Sequence, residues 1–239
     1  DQDMPRDTSK QTEPALTDVR QSLVTLIKQA DRAGANALLD AWAARHGYEE
    51  VFKVLLEPAL IGIGESITGE KHTLAQAYVA AKVAEDMLTR AVNQPGANAY
   101  AEPEKGPVVL GNAEGDFHAL GRRMVATMLR SKGWLVHDLG NDVPPEEFVD
   151  QALATGARVI GVSAMTMTTA QGIRALRQEL DTRGLTGRMQ LAVGGAVFLV
   201  MPGLVEEVGG DGTASNMFAA PGLFERLWQA SLQAETIHA

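Results

Sequence analysis

The strongest constraint on the fold is a change in hydrophobic periodicity near residue 106. Before it, apolar residues such as Leu16, Val19 and Leu23 recur every three or four positions, which is the spacing of one helix face. After it, short apolar runs at 107–110 and 157–162 alternate with helical patterns. Buried runs that alternate with helices indicate a parallel sheet that is covered on both faces. The sequence therefore predicts a helical region followed by an α/β domain.

The domain boundaries follow from a segment that is rich in proline and glycine and poor in apolar residues. We assign residues 1–14 to a flexible tail, 15–94 to a four-helix bundle and 95–106 to the linker. Residues 107–239 are predicted to form a doubly wound, flavodoxin-like sheet of five parallel strands. The fifth strand is the weakest prediction of the set and is expected near 211–214.

Composition excludes several classes of protein. Lys and Arg number 21 against 30 Asp and Glu, and the net charge of −9 argues against a nucleic-acid-binding surface. The chain has no Cys, which excludes disulfides and thiolate metal sites and fits a reducing compartment. Neither a membrane span nor a signal peptide is expected. We therefore predict a cytoplasmic protein that binds neither nucleic acid nor membrane.

The first strand is followed by a loop that contains Asp116, His118 and Gly121. A His in such a loop can present one ring nitrogen to a metal, and a nearby carboxylate can accept the other ring N–H. Asp-x-His supplies too few ligands for an all-protein zinc site, so a metal at His118 is expected to arrive inside a cofactor. The alternative is a capping Asp beside an exposed loop His.

Later strand ends carry small and hydroxyl side chains. Residues 163–169 hold four hydroxyls, of which Thr168 or Thr169 is explained by a helix cap. Gly194 and Gly195 permit close approach of the backbone to a bulky group, or they form a tight turn. Because the carboxyl ends of parallel strands meet at one edge of a sheet, these residues could line one elongated slot.

The motifs and their order resemble the cobalamin-binding domain of methionine synthase and of the corrinoid proteins of methyltransferase systems. The residues that carry the resemblance are Asp116, His118, Gly121, Ser163, Gly194 and Gly195. The run DLGNDVPPEEFV at 138–149 and the helical region around 62–65 are similar to those corrinoid proteins as well. The resemblance covers roughly residues 15–214.

The resemblance implies that cobalamin is bound base-off/His-on, with His118 as the lower axial ligand of cobalt. Asp116 would accept the other ring proton, and Thr169 would extend this relay. Ser163 would hydrogen-bond the cofactor's buried tail, and the glycines would give that tail room. The residues that the resemblance assigns to the cofactor are thus Asp116, His118, Gly121, Ser163, Met167, Thr169, Gly194 and Gly195. Met167 and Arg122 stand where many family members have a hydroxyl residue and a lysine.

By resemblance, the chain is expected to be a methyl carrier rather than a complete enzyme. It would shuttle a methyl group between a substrate-specific methyltransferase and a second one that serves tetrahydrofolate or a thiol. The helical bundle would cap the upper face of the corrin. The alternative is a cobalamin-dependent sensor or regulatory module, and a mutase subunit is a weaker third reading. Assembly into a homodimer stays open.

Overall fold

The computed structural model describes residues 15–68, 74–94 and 102–237. The predicted tail at 1–14 and most of the predicted linker at 95–106 lie outside these residues. The chain forms two compact units, of which one ends at Met87 and the other begins at Leu88. The predicted domain ranges stay predictions.

The first unit is helical, as its periodicity predicts. Its core contains the fully buried Leu23, Ile27, Leu39 and Leu55. Asp31 is the N-cap of its second helix, and its carboxylate accepts a hydrogen bond from Gly34 N. The helical segments, the last of which continues into the second unit, are α1 (Leu16–Lys28), α2 (Arg32–His46), α3 (Tyr48–Val51), a π-helical segment (Phe52–Leu56), α4 (Glu57–Thr68) and α5 (Leu74–Val92). The prediction of four regular helices is therefore not confirmed, because the third is divided by the π-helical segment.

Pro58 lies next to the π-helical segment and removes one backbone hydrogen-bond donor there. A proline has no N–H, so Pro58 cannot donate to the carbonyl of Val54, four residues earlier. The Val54 oxygen instead accepts a hydrogen bond from Nε of Arg20 on α1. A side chain of one helix thus supplies the donor that proline removes from another.

The second unit contains a parallel sheet with helices on both faces. Four strands are described, in the order β2-β1-β3-β4: β1 (Lys105–Asn112), β2 (Trp134–Asp138), β3 (Val159–Ser163) and β4 (Gln190–Gly194). The helices of this unit are α6 (Ala119–Ser131), α7 (Pro145–Thr155), α8 (Met167–Thr182), α9 (Ala196–Val200), α10 (Leu204–Glu207) and α11 (Ala220–Ile237).

Alternation along the strands builds two hydrophobic clusters. Val109 and Ile160 face a cluster that includes side chains of α7 and α8. Their neighbours Val108 and Val159 face a cluster that includes side chains of α6 and α11. Successive strand residues point to opposite faces, so both faces of the sheet are buried, as the continuous apolar runs predict.

The predicted fifth strand is not confirmed among the described residues. Gly212 forms only an isolated parallel bridge with Ala192 of β4. The Asp211 side chain takes part in this contact, because its carboxylate accepts hydrogen bonds from Leu191 N and from Arg177. Asp211 also donates its own N–H to the Leu191 carbonyl. The Asp211 side chain thus takes the Leu191 N–H that a backbone carbonyl would accept between two paired strands. The pairing does not extend into a strand.

The sheet order determines which loops meet. The chain passes from β1 outward to β2 and then crosses to β3 on the other side of β1, so connections leave in opposite directions at the β1–β3 pair. Ligands of open α/β sheets bind at such a switch point, beyond the carboxyl ends of the strands. There, Ala113 N donates to Ser163 O at 2.9 Å and Ala164 N to Gly194 O at 2.9 Å. Three of the predicted loops are therefore side by side.

Among the helices of residues 15–68, 74–94 and 102–237, none has the length and the apolar character that a membrane span requires.

Candidate functional site

Asp116 is the centre of the site. It lies in the loop between β1 and α6, and its side chain is only 1% exposed. Its Oδ1 accepts a hydrogen bond from His118 N at 2.8 Å and lies 3.2 Å from Nδ1 of the His118 ring. Its Oδ2 accepts from Met165 N at 2.7 Å and from Thr169 Oγ1 at 3.2 Å. The structure thus places the Asp116, His118 and Thr169 side chains together, as expected.

These contacts keep the Asp116 carboxylate ionised. Burial alone would raise its pKa, because it disfavours the charged form. Hydrogen bonds from His118 N, Met165 N and the Asn112 side chain oppose burial, and the pKa of Asp116 lies below its usual value. An ionised carboxylate accepts hydrogen bonds only, so a hydrogen bond between His118 Nδ1 and Asp116 Oδ1 requires the tautomer with its proton on Nδ1.

His118 is oriented on one side and open on the other. It is the residue that precedes α6, with φ −85° and ψ 78°. Its side chain is 59% exposed, although the carboxylate beside it is buried. Since Nδ1 contacts Asp116, the second ring nitrogen, Nε2, is the one available as a metal ligand. Phe117 in the same loop and Met165 in the loop after β3 have exposed side chains, which add apolar surface to these two loops.

Thr169 has two roles in the structure. The residue before α8 is Thr166, whose hydroxyl accepts a hydrogen bond from Thr169 N in a reciprocal capping box. The predicted cap at Thr168 or Thr169 is therefore wrong by two or three positions. Thr169 occupies the third helical position, where its hydroxyl reaches both Thr166 and Asp116.

The three glycines of the predicted slot differ in what surrounds them. A Cβ added to Gly121 or Gly194 would meet no atom within 4 Å. Gly195 has φ +118°, and its added Cβ would lie 2.0 Å from the carbonyl oxygen of Ala164. Gly121 and Gly194 border open space, whereas Gly195 is required by the backbone itself.

Ser163 and Met167 complete the predicted set. Ser163 ends β3, where it is paired with Asn112 on one side and Gly194 on the other. Met167, the first residue of α8, is half-buried and packs against the hydrophobic cluster of α7 and α8. Both lie near the predicted slot along the chain, and their roles toward a cofactor stay predictions.

Two residues of the site were missed by the motif analysis. Asn112 is fully buried, and its Nδ2 donates to Asp116 Oδ1 at 2.9 Å. Arg122 donates from Nη1 to Asn112 Oδ1 at 2.7 Å. A polar amide that ends an apolar strand was the available signal for Asn112. Arg122 was noticed only as a departure from the family's usual lysine.

Comparisons with known proteins show which family the chain resembles. A family model described as the B12 binding domain matches residues 106–221. Dimethylamine corrinoid protein 3 of Methanosarcina acetivorans is 36% identical over 170 residues, which cover 70% of this chain and 77% of that protein. Dimethylamine corrinoid protein 2 of Methanosarcina mazei is 40% identical over 116 residues, which cover 48% of this chain and 53% of that protein.

A solved structure resembles this one over most of its length. The monomethylamine corrinoid protein of Methanosarcina barkeri superimposes with a TM-score of 0.71 at 26% sequence identity, over 87% of this chain and 98% of that one. Together with the sequence relatives, this likeness identifies the chain as a member of the corrinoid proteins, with a B12-binding domain at residues 106–221.

Proposed function

We propose that this chain is a methyl carrier that binds cobalamin base-off/His-on and passes a methyl group between partner methyltransferases. The observation that carries the proposal is the exposed His118 ring, held through Nδ1 by the buried Asp116. His118 is the proposed lower ligand of cobalt. The names of the relatives support a methylated amine as the source of the methyl group.

The donor set fits such a cofactor. Asp116 is occupied by hydrogen bonds on both oxygens, so it is not available as a metal ligand. Within residues 15–68, 74–94 and 102–237, no group of three His, Asp or Glu side chains is placed to hold a metal ion. One imidazole nitrogen would suit a metal that arrives with its other ligands inside a cofactor. The open space beside Gly121 and Gly194 suits a bulky organic group.

Bound cobalamin would supply cobalt, which accepts and releases the methyl group. The residues of this chain hold and orient it. Asp116 fixes the proton on Nδ1 of His118, which leaves the lone pair on Nε2, and Thr169 holds the other carboxylate oxygen. Ser163, Gly121, Gly194 and Met167 are the proposed neighbours of the cofactor's tail, and Gly195 shapes the loop beside it.

The proposed partners are a substrate-specific methyltransferase and a second methyltransferase that serves tetrahydrofolate or a thiol. In this role the chain supplies the cofactor to two enzymes in turn and needs no substrate pocket of its own.

The proposal is tested by visible absorption spectra of the full chain after incubation with hydroxocobalamin or methylcobalamin and removal of the excess. We expect retained cobalamin with a spectrum typical of a nitrogen ligand that comes from the protein. His118→Ala should abolish that spectrum. His137→Ala is the matched control, because His137 lies on β2 outside the loop, and it should leave the spectrum unchanged.

Two results would contradict the proposal. A folded wild-type chain that retains no cobalamin would remove the cofactor, and an unchanged spectrum in His118→Ala would remove the ligand. The carrier role is tested separately with the reduced, cobalamin-loaded chain, dimethylamine and a dimethylamine-specific methyltransferase. Formation of methylcobalamin on the chain supports a carrier. No methylation, with a control corrinoid protein methylated in parallel, favours the sensor instead.

A further inference from the structure

A buried arginine lies at one end of a chain of contacts that leads to His118. Arg122 is in the first turn of α6, and its side chain is 8% exposed. Arginine is seldom buried unless it is paired. Nε of Arg122 donates to Asp138 Oδ1 at 2.7 Å, and Nη1 donates to Asn112 Oδ1 and to Asn141 Oδ1, each at 2.7 Å. Its charge is thus matched by Asp138, and two amide oxygens accept from the same nitrogen.

The contact with Asn112 determines which way that amide points. An amide has an oxygen that accepts and a nitrogen that donates. With the oxygen on the Arg122 guanidinium, Nδ2 of Asn112 faces Asp116 Oδ1 at 2.9 Å. The reverse orientation would set oxygen against carboxylate and NH₂ against guanidinium, and both contacts are unfavourable. Arg122 therefore selects the one orientation in which Asn112 donates to Asp116.

The oxygen that Asn112 binds is the one that holds the imidazole. Asp116 Oδ1 lies 3.2 Å from Nδ1 of His118, while Oδ2 is held by Met165 N and Thr169. Donors thus fix both ends of the carboxylate, and the direction of Oδ1 determines the orientation of the ring. We infer that Arg122 is a positioning residue for His118 and acts on it through Asn112 and Asp116. The effect of this positioning on binding of cobalt by His118 rests on the proposed function.

A purely structural role for Arg122 makes a different prediction. Arg122 also anchors the loop after β2, through Asp138 and Asn141. That loop contacts the Asp116 loop as well, because Asp142 Oδ1 accepts from Gly115 N at 2.7 Å. Asn112 and Asn141 both accept from Nη1 of Arg122, and the Asn112 amide also donates to Asp116 Oδ1. Asn112→Leu and Asn141→Leu are therefore matched variants, because each removes one amide that accepts from Arg122.

The first readout uses the full chain without cofactor. The ring nitrogens of His118 are observed by ¹⁵N NMR at about pH 8, where an ordinary imidazole is neutral. In the wild type we expect one tautomer, with the proton on Nδ1. Arg122→Met and Asn112→Leu should give a mixture of tautomers. Arg122→Lys, which keeps a cation at the amide, and Asn141→Leu should keep the wild-type signal.

The second readout uses the cobalamin-loaded chain. Loss of a group that orients a metal-bound His costs on the order of 10- to 100-fold in metal affinity. Because Asn112 acts one contact further away, we expect the His-on to His-off ratio to fall by about tenfold in Arg122→Met and Asn112→Leu. Arg122→Lys should restore most of it, and Asn141→Leu should leave it unchanged.

Three outcomes separate the possibilities. If folded Arg122→Met and Asn112→Leu keep the wild-type tautomer and ratio, the inference is wrong. If Asn141→Leu is as harmful as Asn112→Leu, Arg122 acts by anchoring the loop, which also overturns it. If the wild type binds no cobalamin, the proposed function fails, while the NMR measurement still decides whether Arg122 orients the ring.

Discussion

Gly195 faces the carbonyl oxygen of Ala164 so closely that a Cβ at residue 195 would lie 2.0 Å from it. The loops after β3 and β4 are locked together at this point, and Ala164 N donates to Gly194 O in the same region. The same loop of β3 carries Met165, whose N–H binds Asp116. The close approach at Gly195 therefore supports the arrangement of the site.

The first prediction is that Gly195→Ala destabilises the fold. The new Cβ would collide with backbone, and φ +118° is unfavourable for any L side chain. We expect a loss of about 2–4 kcal/mol in the free energy of unfolding, measured by urea denaturation. Gly194→Ala is the control, because its Cβ would meet no atom within 4 Å, and a loss as large there would contradict the explanation.

The second prediction concerns Gly194 and the proposed cofactor. Gly194→Leu places a larger side chain in space that is open in the protein. We expect the urea midpoint to change little and the affinity for cobalamin to fall, because the side chain would occupy space proposed for the tail. Equilibrium titration followed by absorption measures the affinity. Unchanged affinity would remove Gly194 from the proposed slot.

The third prediction follows from the lowered pKa of Asp116. A carboxyl group whose pKa is lower in the folded state stabilises the fold above its unfolded pKa of about 3.9. That contribution is lost as the pH falls through the lower, folded value. Asp116→Asn should therefore cost about 1.5–3 kcal/mol at pH 7, and the difference from wild type should shrink below about pH 4.

Urea denaturation at several pH values checks this prediction. Asp150→Asn is a suitable control, because Asp150 is 63% exposed and forms a surface ion pair with Arg183. Exposed pairs contribute about 0–1 kcal/mol. A cost in Asp116→Asn that stays constant from pH 7 to pH 3 would show that the carboxylate's charge is not what stabilises the loop.

The fourth prediction tests the hydrogen bond from Arg20 to the Val54 carbonyl, four residues before Pro58. Arg20→Met leaves the Val54 carbonyl without its side-chain donor, and we expect a loss of about 1–2 kcal/mol in unfolding free energy. With Pro58→Ala, a backbone N–H becomes available to that carbonyl, so Arg20→Met should cost less in this background. A double-mutant cycle measures the coupling. Additive effects would mean that the two changes act independently.

The sequence was sufficient for the features that depend on local pattern. Alternation of apolar runs with helices predicted a parallel sheet with two buried faces, and the order of motifs predicted which loops meet at its edge. The Asp116, His118 and Thr169 contacts followed from that order and the family resemblance. What could not be predicted depends on side chains that replace backbone contacts, as Asp211 does beside Leu191.

Arg122 illustrates the same difficulty. Its partners Asn112, Asp138 and Asn141 lie 10, 16 and 19 residues away in the chain. Only the packing of α6 against the sheet brings them together, and no spacing rule connects an arginine to such partners. The π-helical segment was missed for a related reason, since the donor to the Val54 carbonyl is Arg20, which lies 34 residues away on another helix.

The position of the Asp116 partners has a consequence for biosynthesis. Its carboxylate is completed by Met165 and Thr169, which lie 49 and 53 residues later in the chain. A nascent chain that ends before residue 165 carries His118 but lacks both groups that fix the far oxygen of the carboxylate. The imidazole is therefore oriented only after β3 has paired with β1 and α8 has begun. Loading with cofactor through His118 would then favour chains in which both segments have folded together.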